Sequence, residues 1–160
     1  MPATAFDNQR EAKRKWAADN NRSGRDIGEI PPVVNPLRRA SCERNFRRYC
    51  ETYHAETYHL GWSDDHLAVI KQIEDSVLSG GLFATAMPRG SGKSSLSETA
   101  CEWAVNYGHR DYVALIGSDE GAATLMLESI KTEYEVNELL LEDFPEICYP
   151  ITKLEGIAHR

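Results

Sequence analysis

The sequence predicts an α/β fold, a parallel sheet flanked by helices, on three observations. Two short apolar runs lie at 82–86 and 111–117, a glycine-rich turn follows the first directly, and helical apolar periodicity surrounds both. Runs of this length bounded by turn signals suit strands buried on both faces of a parallel sheet. The order strand, glycine-rich turn, helix, strand, helix opens a doubly wound architecture. Only two core strands are in view, so the chain reads as the beginning of a longer, incomplete nucleotide-binding domain.

The elements follow in order. Residues 1–35 read as a flexible basic arm, with a short helix at 10–19 carrying Trp16 and a break at Asn20, Asn21 and Gly24. Pro31, Pro32 and Pro36 keep the next stretch extended, because a residue before proline avoids the helical region. Residues 36–80 form a helical lead-in. From 36 to 53, Leu37, Cys42, Phe46, Tyr49, Cys50 and Tyr53 approximate one apolar face, with arginines on the other. An irregular aromatic segment reaches Trp62. Ser63 is an N-cap candidate, with Asp64 and Asp65 at the positive end of the helix dipole. Leu67, Ile70, Ile73, Val77 and Leu78 give the next apolar stripe, stopped by Gly80 and Gly81. Residues 81–160 hold the two runs, a helix from 93 to 107 stopped by Gly108, a helix from about 120 to 141, and an irregular stretch from Phe144 onward.

Charge is unevenly spread. The first fifty residues hold eleven Lys/Arg against six Asp/Glu, while the remainder holds seven against nineteen, within a net charge of −7. The acidic total argues against non-specific affinity of the whole chain for nucleic acid. The basic arm is either a solvated tail or a contact for a polyanion. Cys42, Cys50, Cys101 and Cys148 include no C-x-x-C pair, which leaves a zinc or redox motif without support. No apolar h-region opens the chain and no run approaches the ~20 apolar residues of a membrane span. The expectation is a protein of the reducing cytoplasm with no membrane partner.

One motif carries chemistry. The window Met87, Pro88, Arg89, Gly90, Ser91, Gly92, Lys93, Ser94 matches the last three positions of the P-loop pattern G-x-x-x-x-G-K-[ST], with Met87 in place of the first glycine. Gly90 and Gly92 let the loop curl until its N–H groups converge, and the following helix start adds partial positive charge. Lys93 reaches β- and γ-phosphates, the Ser94 hydroxyl is placed to ligate Mg²⁺, and Arg89 adds a cation. The candidate ATP-binding residues are Pro88, Arg89, Gly90, Ser91, Gly92, Lys93, Ser94 and Ser95. Arg89 and Lys93 carry catalytic roles and Ser94 holds the metal.

Other candidates are weaker. Asp119 and Glu120 follow an apolar run as a Walker B pair would, but Gly117 and Ser118 interrupt it; the alternative is a pair of first-turn helix carboxylates. His54, His59 and His66 do not fall on one helical face, which disfavours a metal cluster. Trp103 and Tyr107, four apart on the helix after the loop, read as packing residues. The arginines of 38–48 form either a solvated face or a surface for DNA or a partner subunit.

From His59, Leu60, Gly61 and Trp62, through the loop at 86–94, to Leu154, Glu155, Gly156 and Ile157, the chain resembles the amino-terminal part of phage terminase large subunits of prophage-like genes. The resemblance implies a RecA-like, additional-strand P-loop ATPase followed by an RNase H-like nuclease. Such an ATPase pumps double-stranded DNA into a procapsid with a portal and a small terminase subunit, in the bacterial host cytoplasm; the resemblance also admits a homo-oligomer. On matching positions, Lys93 and Ser94 take the phosphate and Mg²⁺ contacts, Arg89 senses the γ-phosphate, and the segment around Trp62 lies at the adenine. The departures are the missing Walker B pair, coupling motif and nuclease acids before Arg160. They set a second expectation beside the motor, a truncated, non-catalytic nucleotide- or DNA-binding module of a decayed prophage gene.

Overall fold

The computed structural model describes residues 27–158, with side-chain surroundings as far as 153. The short helix expected at 10–19 and most of the basic arm lie outside the described residues. The described residues form seven helices: α1 (Pro36–Cys42), α2 (Phe46–Tyr53), α3 (Asp64–Ser79), α4 (Lys93–Asn106), α5 (Glu120–Val136), α6 (Glu138–Asp143) and α7 (Pro145–Ala158).

The expected α/β fold, the RecA-like parallel sheet of a P-loop NTPase, is corrected by this architecture, because no described residue is in a strand. Residues 82–86 and 111–117 have no regular structure and no backbone ladder joins them. Apolar composition favours burial, but a strand exists only where a neighbour supplies the other half of each hydrogen bond. Neither run has such a neighbour here, and most of their side chains are exposed, with Val113 and Leu115 half-buried. Leu82 is 104% exposed, Ile116 88% and Tyr112 83%.

The helices themselves follow local signals. Asn35 caps α1 by accepting from the Arg38 N–H at 2.9 Å, with Pro36 at the first helical position. The single helix expected over 36–53 is broken after Cys42, because Asn45 caps a new one by accepting from the Arg48 N–H at 2.8 Å. Asn137 likewise divides the expected 120–141 helix, capping α6 through Leu140 while its amide donates to the Tyr53 carbonyl at 2.7 Å. The stretch from Phe144 onward, expected to be irregular, forms α7; Pro145 stands at its first position, where a missing N–H costs nothing. No helix among the described residues is long and apolar enough to cross a membrane.

Helix α2 packs against α1, α3 and α4, and α4 against α3 and α5. Its Phe46, Tyr49, Cys50 and Tyr53 are all buried. Trp103 of α4 is fully enclosed, lies 5.2 Å from the Phe46 ring, and donates its indole N–H to the Cys42 carbonyl at 3.0 Å. Tyr107 meets Phe144 edge-on at 5.1 Å. Trp103 and Tyr107 are thus packing residues, set against the preceding helices. Each large side chain so buried contributes about 1.5–3 kcal/mol relative to exposure. The four cysteines are free, and Cys42, Cys50 and Cys148 are enclosed as small hydrophobes.

One enclosed carboxylate ties the chain's ends of this core together. Asp143, with no exposed surface, accepts from Arg38 Nε at 2.6 Å, Arg38 Nη2 at 2.9 Å, the Asn35 N–H at 3.2 Å and the Tyr53 hydroxyl at 2.7 Å. Arg39 donates to the Asp143 carbonyl and to Glu146, and lies over the Phe144 ring. Two of the arginines read as a solvated or DNA-facing surface are therefore engaged within the molecule. Arg47 pairs with Glu51 at 2.7 Å.

Candidate phosphate-binding site

The glycine-rich segment turns at Arg89 and Gly90, and α4 begins at Lys93. Gly90 and Gly92 hold φ of 82° and 75°, the left-handed region that glycine enters without a Cβ penalty. Gly92 is the N-cap of α4 and has no side chain with which to cap it. The Leu96 N–H bonds the Gly92 carbonyl at 2.9 Å, whereas the N–H groups of 93–95 precede the first intrahelical bond. The first turn contains no acidic residue, so the partial positive charge of the helix start is unopposed.

The carbonyl oxygens of Met87, Pro88 and Ser91 are held by donors from within the chain. The Lys93 ammonium donates to Met87 at 2.7 Å and to Pro88 at 2.9 Å, with one of its three N–H bonds left over. The Ser91 hydroxyl and N–H both donate to the Pro88 carbonyl, at 2.8 and 3.4 Å. His66 Nε2 lies 3.0 Å from the Ser91 carbonyl oxygen, to which it donates. Arg89 and Ser94 are exposed, and neither side chain has a partner among the described residues. Pro88 is exposed as well, while Ser91, Lys93 and Ser95 are half-buried.

A cavity of about 240 Å³ adjoins the loop, lined by Gly90, Ser91 and Gly92 on one side and by Tyr58, Trp62 and His66 on the other. Tyr58 and Trp62 lie 5.1 Å apart at 33°, and His66 meets Trp62 edge-on at 6.0 Å. The Trp62 indole donates to Glu51 Oε1 at 2.8 Å and the Tyr58 hydroxyl bonds Thr99 Oγ1 at 2.9 Å, which fixes both rings. No acidic side chain is among the residues lining this cavity. The cavity is bounded by loop backbone and two tilted aromatic rings; Lys93 does not line it, but lines a second cavity of about 510 Å³ together with Phe83, Thr85 and Leu115.

Loop residues 88–95, named from sequence, are thus contiguous around one turn and helix start. Sequence reasoning missed Tyr58 and reached His66 only as a metal candidate. The signal for His66 was its place three residues after Ser63, where its ring closes a capping box. The three histidines diverge: His66 meets the loop, His59 bonds the Glu56 carbonyl, and His54 is buried beside Glu102. Among the described residues no cluster of His, Cys, Asp or Glu is fit to hold a metal.

Asp119 serves as the N-cap of α5, accepting from the Ala122 N–H at 2.9 Å. That N–H and the Ser118 hydroxyl hold its carboxyl below the usual range. Glu120 is the first residue of the helix. The pair occupies the first-turn alternative. Against this geometry, no protein-family model, no curated protein and no solved structure matches the chain, so the chemistry of the site rests on its own atoms.

Proposed function

We propose that the chain binds a nucleoside triphosphate, ATP with Mg²⁺, at residues 88–95. One observation carries this reading: the Met87, Pro88 and Ser91 carbonyls are tied back by Lys93, Ser91 and His66, while the N–H groups at the start of α4 stay open beside an ammonium. Such an arrangement repels cations and attracts a polyphosphate tail. Lys93 offers its remaining N–H to the phosphates, and exposed Arg89 supplies a second cation. The Ser94 hydroxyl, in the first helical turn, fits a Mg²⁺ ligand, and that ion neutralises charge on the bridging phosphate oxygens. Tyr58 and Trp62 give a base a surface to stack on.

Mg-ATP titrated with a fluorescent nucleotide tests the reading. Lys93→Ala removes the cation and is expected to abolish measurable binding; unchanged affinity overturns the assignment.

In the wider reading, suggested by the resemblance to terminase large subunits, this is the ATP-binding portion of a motor that packages double-stranded DNA, with portal and small subunit as partners. ATP turnover stimulated by double-stranded DNA supports it. A specific observation favours the second reading, a non-catalytic nucleotide-binding module. The described cavity presents no carboxylate to orient an attacking water, and Asp119 is engaged as a helix cap. Binding without turnover, with or without DNA, selects the module.

A further inference from the structure

We propose that His66 is a positioning residue that latches the Ser91–Gly92 peptide, keeping an N–H rather than a carbonyl directed at the phosphate nest; this rests on the phosphate-loop reading above. The ring has a defined tautomer. The Ser63 N–H approaches Nδ1 at 3.4 Å and the Ser63 hydroxyl lies 2.7 Å from it, so Nδ1 accepts. Nε2 therefore carries the proton and donates it to the Ser91 oxygen at 3.0 Å. Ser63 in turn is fixed as the N-cap of the sixteen-residue α3. The latch thus runs from a packed helix to the loop, across twenty-five positions of sequence.

A trans peptide is planar, so its C=O and N–H point in opposite directions. Holding the Ser91 carbonyl toward His66 aims the Gly92 N–H the other way. The residue after this peptide is glycine, whose φ of 75° is readily exchanged for a negative value, so a flip of the Ser91–Gly92 unit meets little backbone resistance. The flip would replace one donor by one acceptor and set a carbonyl dipole against the incoming anion. The neighbouring carbonyls of Met87 and Pro88 are held by Lys93; Ser91 is the one that depends on His66.

His66 also lines the cavity and touches Trp62, so two roles must be separated. Inorganic tripolyphosphate has no base to stack and reads the latch alone. In the full chain, His66→Phe keeps a ring beside Trp62 and loses the donor, whereas His66→Gln keeps a donor at similar reach and loses the ring. Tripolyphosphate affinity is expected to fall about tenfold in His66→Phe, the scale of one lost hydrogen bond, and to stay within about threefold of wild type in His66→Gln. The Gly92 amide resonance should shift on tripolyphosphate addition in wild type and His66→Gln but not in His66→Phe, with helical circular dichroism unchanged in all three. Wild-type affinity in His66→Phe, or equal weakening in both variants, overturns the latch while leaving the phosphate loop standing. Failure of the wild-type chain to bind either tripolyphosphate or Mg-ATP overturns both.

Discussion

The face built by α1, α2, α4 and α6 and the face carrying 82–86 and 111–117 hold comparable apolar side chains, yet they use them oppositely. On the first, Phe46, Tyr49, Trp103, Leu140 and Phe144 are wholly enclosed, and the Trp103 indole and Tyr49 hydroxyl are hydrogen-bonded. On the second, Leu82, Tyr112 and Ile116 face outward and the backbone makes no ladder. The difference lies in where hydrogen bonds come from. A helix satisfies its backbone within a few residues and is free to bury a face wherever another helix meets it. A strand needs a partner before it exists at all. The glycine-rich loop sits at the seam, with one end on irregular chain and the other on a packed helix.

The comparison is broken most forcefully at Asp143. Asp143→Ala removes the acceptor of the Tyr53 hydroxyl and two hydrogen bonds of Arg38, and is expected to lower stability by about 3 kcal/mol, the lower end for a broken buried pair because Arg38 keeps Glu142 and some contact with water. Urea unfolding measures it. A loss under about 1 kcal/mol would mean that the helical face does not depend on this clasp.

A smaller effect is expected at Glu102. His54 Nε2 and Glu102 Oε2 approach to 3.0 Å, both nearly fully enclosed, but are not aligned for a hydrogen bond and have no other partner. Burial raises the Glu102 carboxyl above its ordinary 4.5, and the nearby His54 only partly offsets this. A carboxyl raised in the folded state binds its proton more tightly there than in the unfolded chain. Its contribution is therefore favourable at low pH and declines as pH climbs from the unfolded value through the raised folded one. Glu102→Gln should remove that decline, flattening stability against pH above 4.5. An unchanged slope in urea unfolding from pH 4.5 to 7 contradicts the assignment.

The smallest effect is expected on the exposed face. Leu82→Ser and Ile116→Ser remove apolar surface already in water, so each should change stability by less than about 0.5 kcal/mol. A loss of about 2 kcal/mol or more at either position would show that these runs are covered in solution and would erase the contrast between the faces.

Legibility followed the range of the interaction. The Ser63 cap, the stop at Gly80, the start of a helix at Lys93 and the break at Gly108 are local and were readable from residue type. Asn45 and Asn137 were readable as caps in principle, yet apolar periodicity continued across both and masked them. Pro145 was taken as the start of an irregular stretch, although proline at a first helical position supports a helix as readily as it ends one. In the candidate site, the loop residues 88–95 stood out by composition, whereas Tyr58 and His66 joined it only through packing.

Residue order alone determined the helix starts and stops, the apolar faces of α2 and α3, and the glycine-rich turn ahead of α4, because each depends on atoms a few positions apart. Tertiary structure alone decided that 82–86 and 111–117 form no sheet, that Trp103 closes against Phe46, and that His66 reaches the Ser91 carbonyl. Those outcomes depend on partners tens of residues away, and no local pattern specifies which distant group arrives.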